Sequence, residues 1–450
     1  MRTLATPVLI LLGLFSLGLL SGSALAQNDN TQIDNAQIDN TDNRVDLIRF
    51  DAPELAAYGP HDIGVRTLDF VNEDELDIVN AVQGEPIPRY NRPLTVEVWY
   101  PADLEGEALG EYAVTTRDGA QVTLSGRAVR DAKPSAADAP YPLIIISHGY
   151  PGNRFLLAHL GENLASKGYV TVSIDHTDST YSDQATFGST LLNRPLDQGF
   201  VLDEMARLSQ ADSGSFLAGL VDTEETGLLG YSMGAYGAVN FIGGGLTQMS
   251  VNSDYAPPNG ILSLRQAGNE AYQESLDPRV KAVVAIAPWG MNTGFWDAQG
   301  LAGVETPLFF MAGSADDVSG YEEGTKAIFE KTVNAERYLL TFEGANHNAA
   351  APIPAPVETW GGDAFMHYSD AVWNTVRMNN IAQHFTTAFF DLELKGDVQK
   401  GEYLDLLRDA EDGVWSVDES GNFTEEHTYW KGFPERTAVG LSLRHREAAE

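Results

Sequence analysis

Gly230-Tyr231-Ser232-Met233-Gly234 fits G-x-S-x-G and stands where an apolar run, residues 226–231, gives way to a helical pattern rich in small residues, 233–241. A serine at such a junction occupies a sharp turn that brings the residues two before and two after it together. Glycine at both places removes the collision between their side chains. The hydroxyl is then held out at the carboxyl edge of a sheet. The helix behind it points backbone N–H groups and the positive end of its dipole at any negative charge forming there. By itself the motif is moderately specific, because a strand–turn–helix needs no chemistry. Its weight comes from the strand before, the helix after and the partners downstream.

Upstream, residues 142–147 are a fully apolar strand ending in His148-Gly149-Tyr150-Pro151-Gly152, followed by a helical pattern over 155–167 and a second central strand over 168–175. Downstream, 279–287, 306–312 and 337–342 supply three more strands, and 370–391 a long helix. Alternation of strand and helix predicts a mostly parallel sheet covered on both faces. Residues 61–70 and 92–100 alternate apolar with polar, as half-exposed antiparallel strands do, and 111–130, with Arg117-Asp118-Gly119 at its turn, predicts an added hairpin. The connection 176–225 predicts two short helices, 201–208 and 215–220, with Arg194-Pro195-Leu196-Asp197 before the first. Residues 243–278 are polar and irregular and are expected to be an insertion. Past 396, a short helix at 403–407 and a turn at Ser420-Gly421 are expected.

The chain of 450 residues is long enough for a large single α/β domain. It opens with Met1-Arg2, a short apolar run over 8–20 and Ala24-Leu25-Ala26, the pattern of a cleaved secretory leader, residues 1–26. Residues 27–45 are nearly all polar and predict a disordered tether; 46–395 are expected to form the catalytic domain and 396–450 a C-terminal extension packed on it. Export to the periplasm or beyond follows, with no stable membrane insertion once the leader is removed. There is no cysteine, so disulfides contribute nothing. A formal net charge of -36 repels nucleic acid, anionic headgroups and polyanions.

Acyl transfer needs a nucleophile, a base, an acid to orient the base, and donors for an oxyanion. Asp316 follows the 306–312 strand and His347 the 337–342 strand, so Ser232, Asp316 and His347 each fall in the loop past a strand's carboxyl end. In an open parallel sheet those loops share one edge. Asp317 is a rival for the acid. His148 and His176 also end strands but precede the serine. The backbone N–H groups of Met233 and Tyr150 are the expected oxyanion donors; Pro151 has none. His148 and Trp289 are candidate substrate-binding residues, although a core role for Trp289 is equally open. No residue cluster has metal-ligand spacing, and neither metal nor cofactor is expected.

The order Ser, Asp, His with Ile146-Ser-His-Gly149, 169–176, Arg194-Pro-Leu-Asp197 and Gly230-Tyr-Ser-Met-Gly234 resembles the α/β-hydrolase superfamily, and within it the bacterial predicted dienelactone hydrolases related to platelet-activating-factor acetylhydrolases. The resemblance implies an eight-stranded sheet, insertions over its carboxyl edge and carboxylic-ester hydrolysis. True dienelactone hydrolases use a cysteine nucleophile, which this chain lacks. Polyester hydrolases are also similar around Ser232, though their chains lack these insertions. The expected activity is hydrolysis of small neutral short-chain esters through an acyl-enzyme. A peptidase, amidase or polyester hydrolase on the same residues, and a silent hydrolase fold used for binding, are the alternatives.

Overall fold

The structure, a computed structural model, describes residues 40, 42–106 and 110–449. The expected leader and most of the expected tether lie outside the described residues. The end of the tether does not behave as one. Asn43 donates to Glu358 Oε2 at 2.9 Å and accepts from the Val357 N–H at 2.8 Å, and Val45 is buried. Packing therefore begins before residue 46.

Among the described residues one sheet runs through β1 (Asp62–Leu76), β2 (Arg89–Asp103), β5 (Val129–Arg130), β6 (Lys133–Pro134), β7 (Tyr141–Ser147), β8 (Val170–Asp175), β9 (Val221–Tyr231), β10 (Val280–Ile286), β11 (Leu308–Gly313), β12 (Arg337–Phe342) and β13 (Leu441–Arg446). The spatial order is β13-β12-β11-β10-β9-β7-β8-β2-β1-β5, with β6 beside β2. From β8 across to β12 every pairing is parallel; β1, β2 and β13 join antiparallel. The hairpin of β3 (Glu111–Thr115) and β4 (Gln121–Ser125) stands apart as its own two-stranded sheet. The sheet exceeds the expected eight strands by β5, β6 and β13. Its outermost strand, β13, comes from residues expected to be a separate extension, and Leu441 and Leu443 share the core with Leu340 and Phe385. The alternation Leu441-Ser-Leu-Arg-His-Arg446 was the signal for it.

The central strands read as unbroken apolar runs because both faces are covered. Ile144, Ile146, Leu229, Val284 and Phe309 face α1 (Ala158–Ala165) and the long Thr375–Lys395 helix through Leu160, Phe385 and Phe389. Leu143, Ile145, Leu228, Val283 and Phe310 face α2 (Phe187–Ser209) and α3 (Met233–Phe241) through Val201, Leu202 and Val239. The long helix expected over 370–391 runs instead over Thr375–Lys395, because Asn374 accepts from the Arg377 N–H at its start and Gly396 closes it at φ 64°.

The largest departure from expectation is α2. It is one helix of 23 residues, where a short one over 201–208 was expected, and residues 215–220 form turns. Residues 188–195 are all buried, so the one-sided apolar pattern that marks a surface helix is missing. Pro195 lies inside it and cannot donate to the Leu191 carbonyl one turn back. The Tyr236 hydroxyl of α3 donates to that carbonyl at 3.1 Å and satisfies it. Tyr236→Phe is therefore expected to lower stability by about 1–2 kcal/mol, the cost of a buried carbonyl left unpaired, read as a fall in the urea midpoint at unchanged slope.

Candidate active site

Ser232 is where β9 turns into α3, at φ 53° and ψ −112°, outside the usual region for a residue with a side chain. A Cβ on Gly230 would come within 2.5 Å of the Ala235 nitrogen and the Gly234 carbonyl. One on Gly234 would lie 1.9 Å from the Ser147 carbonyl oxygen. Glycine at these two places is thus a condition of the turn. The Ser232 N–H donates to Ile286 O at 2.9 Å, and its carbonyl accepts from Tyr236 N at 2.9 Å and Trp289 N at 3.3 Å.

His347 Nε2 is 3.0 Å from Ser232 Oγ, and its Nδ1 is 2.9 Å from Asp316 Oδ2 and 3.1 Å from Oδ1. A carboxylate only accepts, so Nδ1 carries the proton and Nε2 is free to take one from the hydroxyl. Asp316 Oδ1 also accepts from the Val318 and Ser319 N–H groups, both at 2.9 Å. Burial would raise the Asp316 carboxyl, but the His347 hydrogen bond and those two amides outweigh it and hold the acid below its ordinary value. Asp317 is exposed, and Asp316 is the acid that meets His347.

Met233 is the first residue of α3, so its N–H has no partner within the helix. Tyr150 follows β7 on the same edge. Its ring packs edge-on against Phe187, which in turn meets Trp289 and Tyr255 at 5.3 and 5.9 Å between centroids. Trp289, half-buried and joined to the Ser232 carbonyl through its N–H, belongs to this aromatic wall. On the other side the Tyr231 hydroxyl donates to Asn348 Oδ1 at 3.1 Å, and Asn348 Nδ2 donates to the carbonyls of Met366 and Ser369. Tyr181 and His367 meet there at 2.6 Å, with Arg117 3.1 Å from the other His367 nitrogen. Arg117 belongs to the β3–β4 turn, which the sequence marked as a hairpin but did not bring to the site. Trp296, by contrast, is core: it is 2% exposed and its Nε1 donates to Gly244 O.

His148 does not line a substrate site. It is 0% exposed, its Nδ1 lies 2.7 Å from the Gly149 carbonyl, and its Nε2 faces the His176 N–H at 3.4 Å. Burial and the nearby Arg194 charge hold it neutral. His176, set aside on chain order, forms a second serine–histidine–aspartate line: Nε2 is 2.8 Å from Ser147 Oγ and Nδ1 2.8 Å from Asp197 Oδ2. All three side chains are sealed, so no substrate reaches them. Burial, with the Arg194 charge, depresses His176 to about 3 against the pull of Asp197. Asp197 stays ionised, at about 2, because Arg92, at 2.8 and 2.9 Å on its two oxygens, and His176 overcome its burial.

Glu336, distant in sequence from His445 and Glu447, places a ligand-type atom within 4.8 Å of theirs at the β12–β13 edge. Spacing along the chain gave no sign of this group.

Comparison with known proteins agrees with the fold. Residues 103–249 match the family model described as PET hydrolase-like. A ferulic acid esterase from Streptomyces cinnamoneus superposes with a TM-score of 0.52 at 21% identity, covering 79% of this chain and 94% of that one. The chain has the α/β-hydrolase fold. Cutinase est2 of Thermobifida alba is 24% identical over 46% of this chain and 53% of its own. The bis(hydroxyethyl) terephthalate hydrolase of Streptomyces coelicolor is 22% identical over 55% of this chain and 64% of its own. The chain thus spans little more than half the length of the curated relatives it matches. The finer likeness to predicted dienelactone hydrolases rests on the motifs alone.

Removing Arg92 leaves a buried, charged Asp197. Arg92→Met is expected to cost about 3–5 kcal/mol at neutral pH. Asp197 has a depressed folded pKa, so its contribution is present above the unfolded value of about 3.9 and fades as pH falls towards about 2. The gap between variant and wild type should therefore narrow in acid; urea unfolding at pH 7 and at about pH 3, inside that window, measures it.

Proposed function

We propose that this chain is an exported serine hydrolase of carboxylic esters. The observation that carries the reading is His347, hydrogen bonded to Ser232 Oγ on one side and Asp316 on the other at the carboxyl edge of the sheet. The names of its similar proteins, cutinases, a terephthalate-ester hydrolase and a ferulic acid esterase, support the same bond type. Ser232 Oγ attacks the ester carbonyl as His347 Nε2 takes its proton. The tetrahedral oxyanion is met by the N–H groups of Met233 and Tyr150, with the positive end of α3 behind them. Asp316 keeps the imidazole oriented and stabilises its charged form. Collapse expels the alcohol, which takes the proton from His347. Water, deprotonated by the same nitrogen, then releases the acid and restores the serine.

The substrate we assign is a neutral ester with a short acyl chain. The aromatic wall of Tyr150, Phe187, Trp289 and Tyr255 offers apolar surface, and the net charge disfavours anions. The same wall favours, as a second reading, esters of planar aromatic acids, the units of an aromatic polyester. An amidase is the weaker reading, because the similar proteins are named as ester hydrolases. A silent binding fold would not be expected to keep every group of the site. Export rests on the leader-like first 26 residues. Among the described residues no helix is long and apolar enough to cross a membrane.

Ser232→Ala should reduce ester turnover by about 10⁶-fold with the fold intact, and wild-type-like hydrolysis by this variant would sink the assignment. Asp316→Asn should cost about 10⁴-fold in kcat and Asp317→Asn little; the reverse ranking would move the acid by one residue. On nitrophenyl esters, kcat/KM should peak at short acyl chains, because each methylene contributes about 0.8 kcal/mol only while there is pocket to bury it. A steady rise to long chains would instead indicate an open groove.

A further inference from the structure

The Tyr150 N–H belongs to the same planar peptide unit as the Gly149 carbonyl. In a trans unit the two point in opposite directions, so whatever grips the oxygen also aims the N–H. That oxygen is gripped twice: Arg194 Nη2 donates to it at 2.9 Å and His148 Nδ1 lies 2.7 Å from it. Arg194 Nη1 donates to the preceding carbonyl, that of His148, and Nη2 also reaches Ser179 Oγ at 2.5 Å. The guanidinium is 1% exposed. Its hydrogen-bond acceptors are two carbonyls and a hydroxyl, and no carboxylate pairs with it among the described residues. The nearest acid on its helix face, Asp197, is engaged by Arg92 and His176.

A buried cation without an ion pair is costly, and neutral donors would have sufficed to tether a loop. What neutral donors supply poorly is polarisation. A full positive charge on a peptide oxygen draws electron density from the nitrogen and makes the N–H at the far end a stronger donor. We propose that Arg194 is a positioning residue which, through the Gly149 carbonyl, aims and polarises the Tyr150 N–H as an oxyanion donor. The inference rests on the ester-hydrolase reading above. It assigns a function to Arg194 in the Arg194-Pro-Leu-Asp197 stretch, which the catalytic residues leave unexplained.

The test uses the full chain, with Ser232 first titrated by a nitrophenyl phosphonate so that rates refer to competent sites. Arg194→Gln keeps a donor but removes the charge. It should lower kcat for a nitrophenyl ester by about 10²-fold with KM within about threefold, the signature of an interaction made in the transition state. Binding of a phenylboronic acid, whose tetrahedral adduct carries a charged oxygen, should weaken in proportion. Arg194→Lys, charged but without the fork, should recover part of both losses. A kcat per titrated site equal to wild type, or a loss confined to KM or to the number of titratable sites, would overturn the proposal and leave the ester-hydrolase reading standing. Should Arg194→Gln not fold, Arg194→Lys alone decides: about a tenfold loss in kcat supports the proposal and none overturns it. If the phosphonate fails to label wild-type Ser232, the reading beneath the proposal falls and takes it along.

Discussion

Asp197, held through both carboxylate oxygens by buried Arg92, is the charge on which the back of the site depends. It fixes His176 at the end of β8, and His176 in turn meets Ser147 at the end of β7. One helical turn around it, Arg194 reaches the 148–150 loop and Gln198 Nε2 donates to the Gly234 carbonyl in the Ser232 turn at 3.1 Å. Positions 194, 197 and 198 are neighbours on one helix face. A single stretch of α2 therefore touches the ends of two strands, the loop carrying Tyr150 and the turn carrying Ser232. Such a face admits little independent movement of these parts, and reacting groups need to be held to within a fraction of an ångström.

The formal charges in that cluster balance. Arg92 and Arg194 bring two positive charges, Asp197 and Asp178 two negative, and His176 is kept neutral. With a formal net charge of -36, repulsion must be carried on the surface, where solvent and salt screen it. Under the site the low dielectric leaves no such relief, and there Arg92 meets both Asp178 and Asp197 while Arg194 is held by neutral acceptors. With no cysteine to cross-link it, the fold relies on this pairing and on the two apolar layers either side of the sheet.

How far the sequence foretold this depends on whether a local pattern carried the information. The central strands, the Ser232 turn and the Asp316 and His347 loops were legible because each has its own signature: an apolar run, two glycines at fixed spacing, a polar residue just past a strand. The α2 helix was not, since burial on all sides erases its periodicity and Pro195 reads as a stop unless one knows that Tyr236 caps the freed carbonyl. His148 was misread because a histidine ending a strand beside a glycine-rich loop looks the same whether its ring faces a ligand or the Gly149 carbonyl. The place of Arg117 beside His367 depends on the hairpin folding back over the edge, a tertiary fact with no local trace.

The conformation of Ser232 shows how strain and function are joined. At positive φ the residue stands in a region that costs of order 1–3 kcal/mol for a side chain, and it persists only if the surroundings over-determine it. They do so from three directions. The Ile286 carbonyl fixes the N–H, Tyr236 and Trp289 fix the carbonyl, and the glycines at 230 and 234 let the flanking backbones close to contact with β7. Of these supports, Tyr236 serves twice, since its N–H holds the Ser232 carbonyl and its hydroxyl caps the Leu191 carbonyl in α2. The helix that anchors the loop bearing Tyr150 and the helix that begins at Ser232 are thus tied through one side chain.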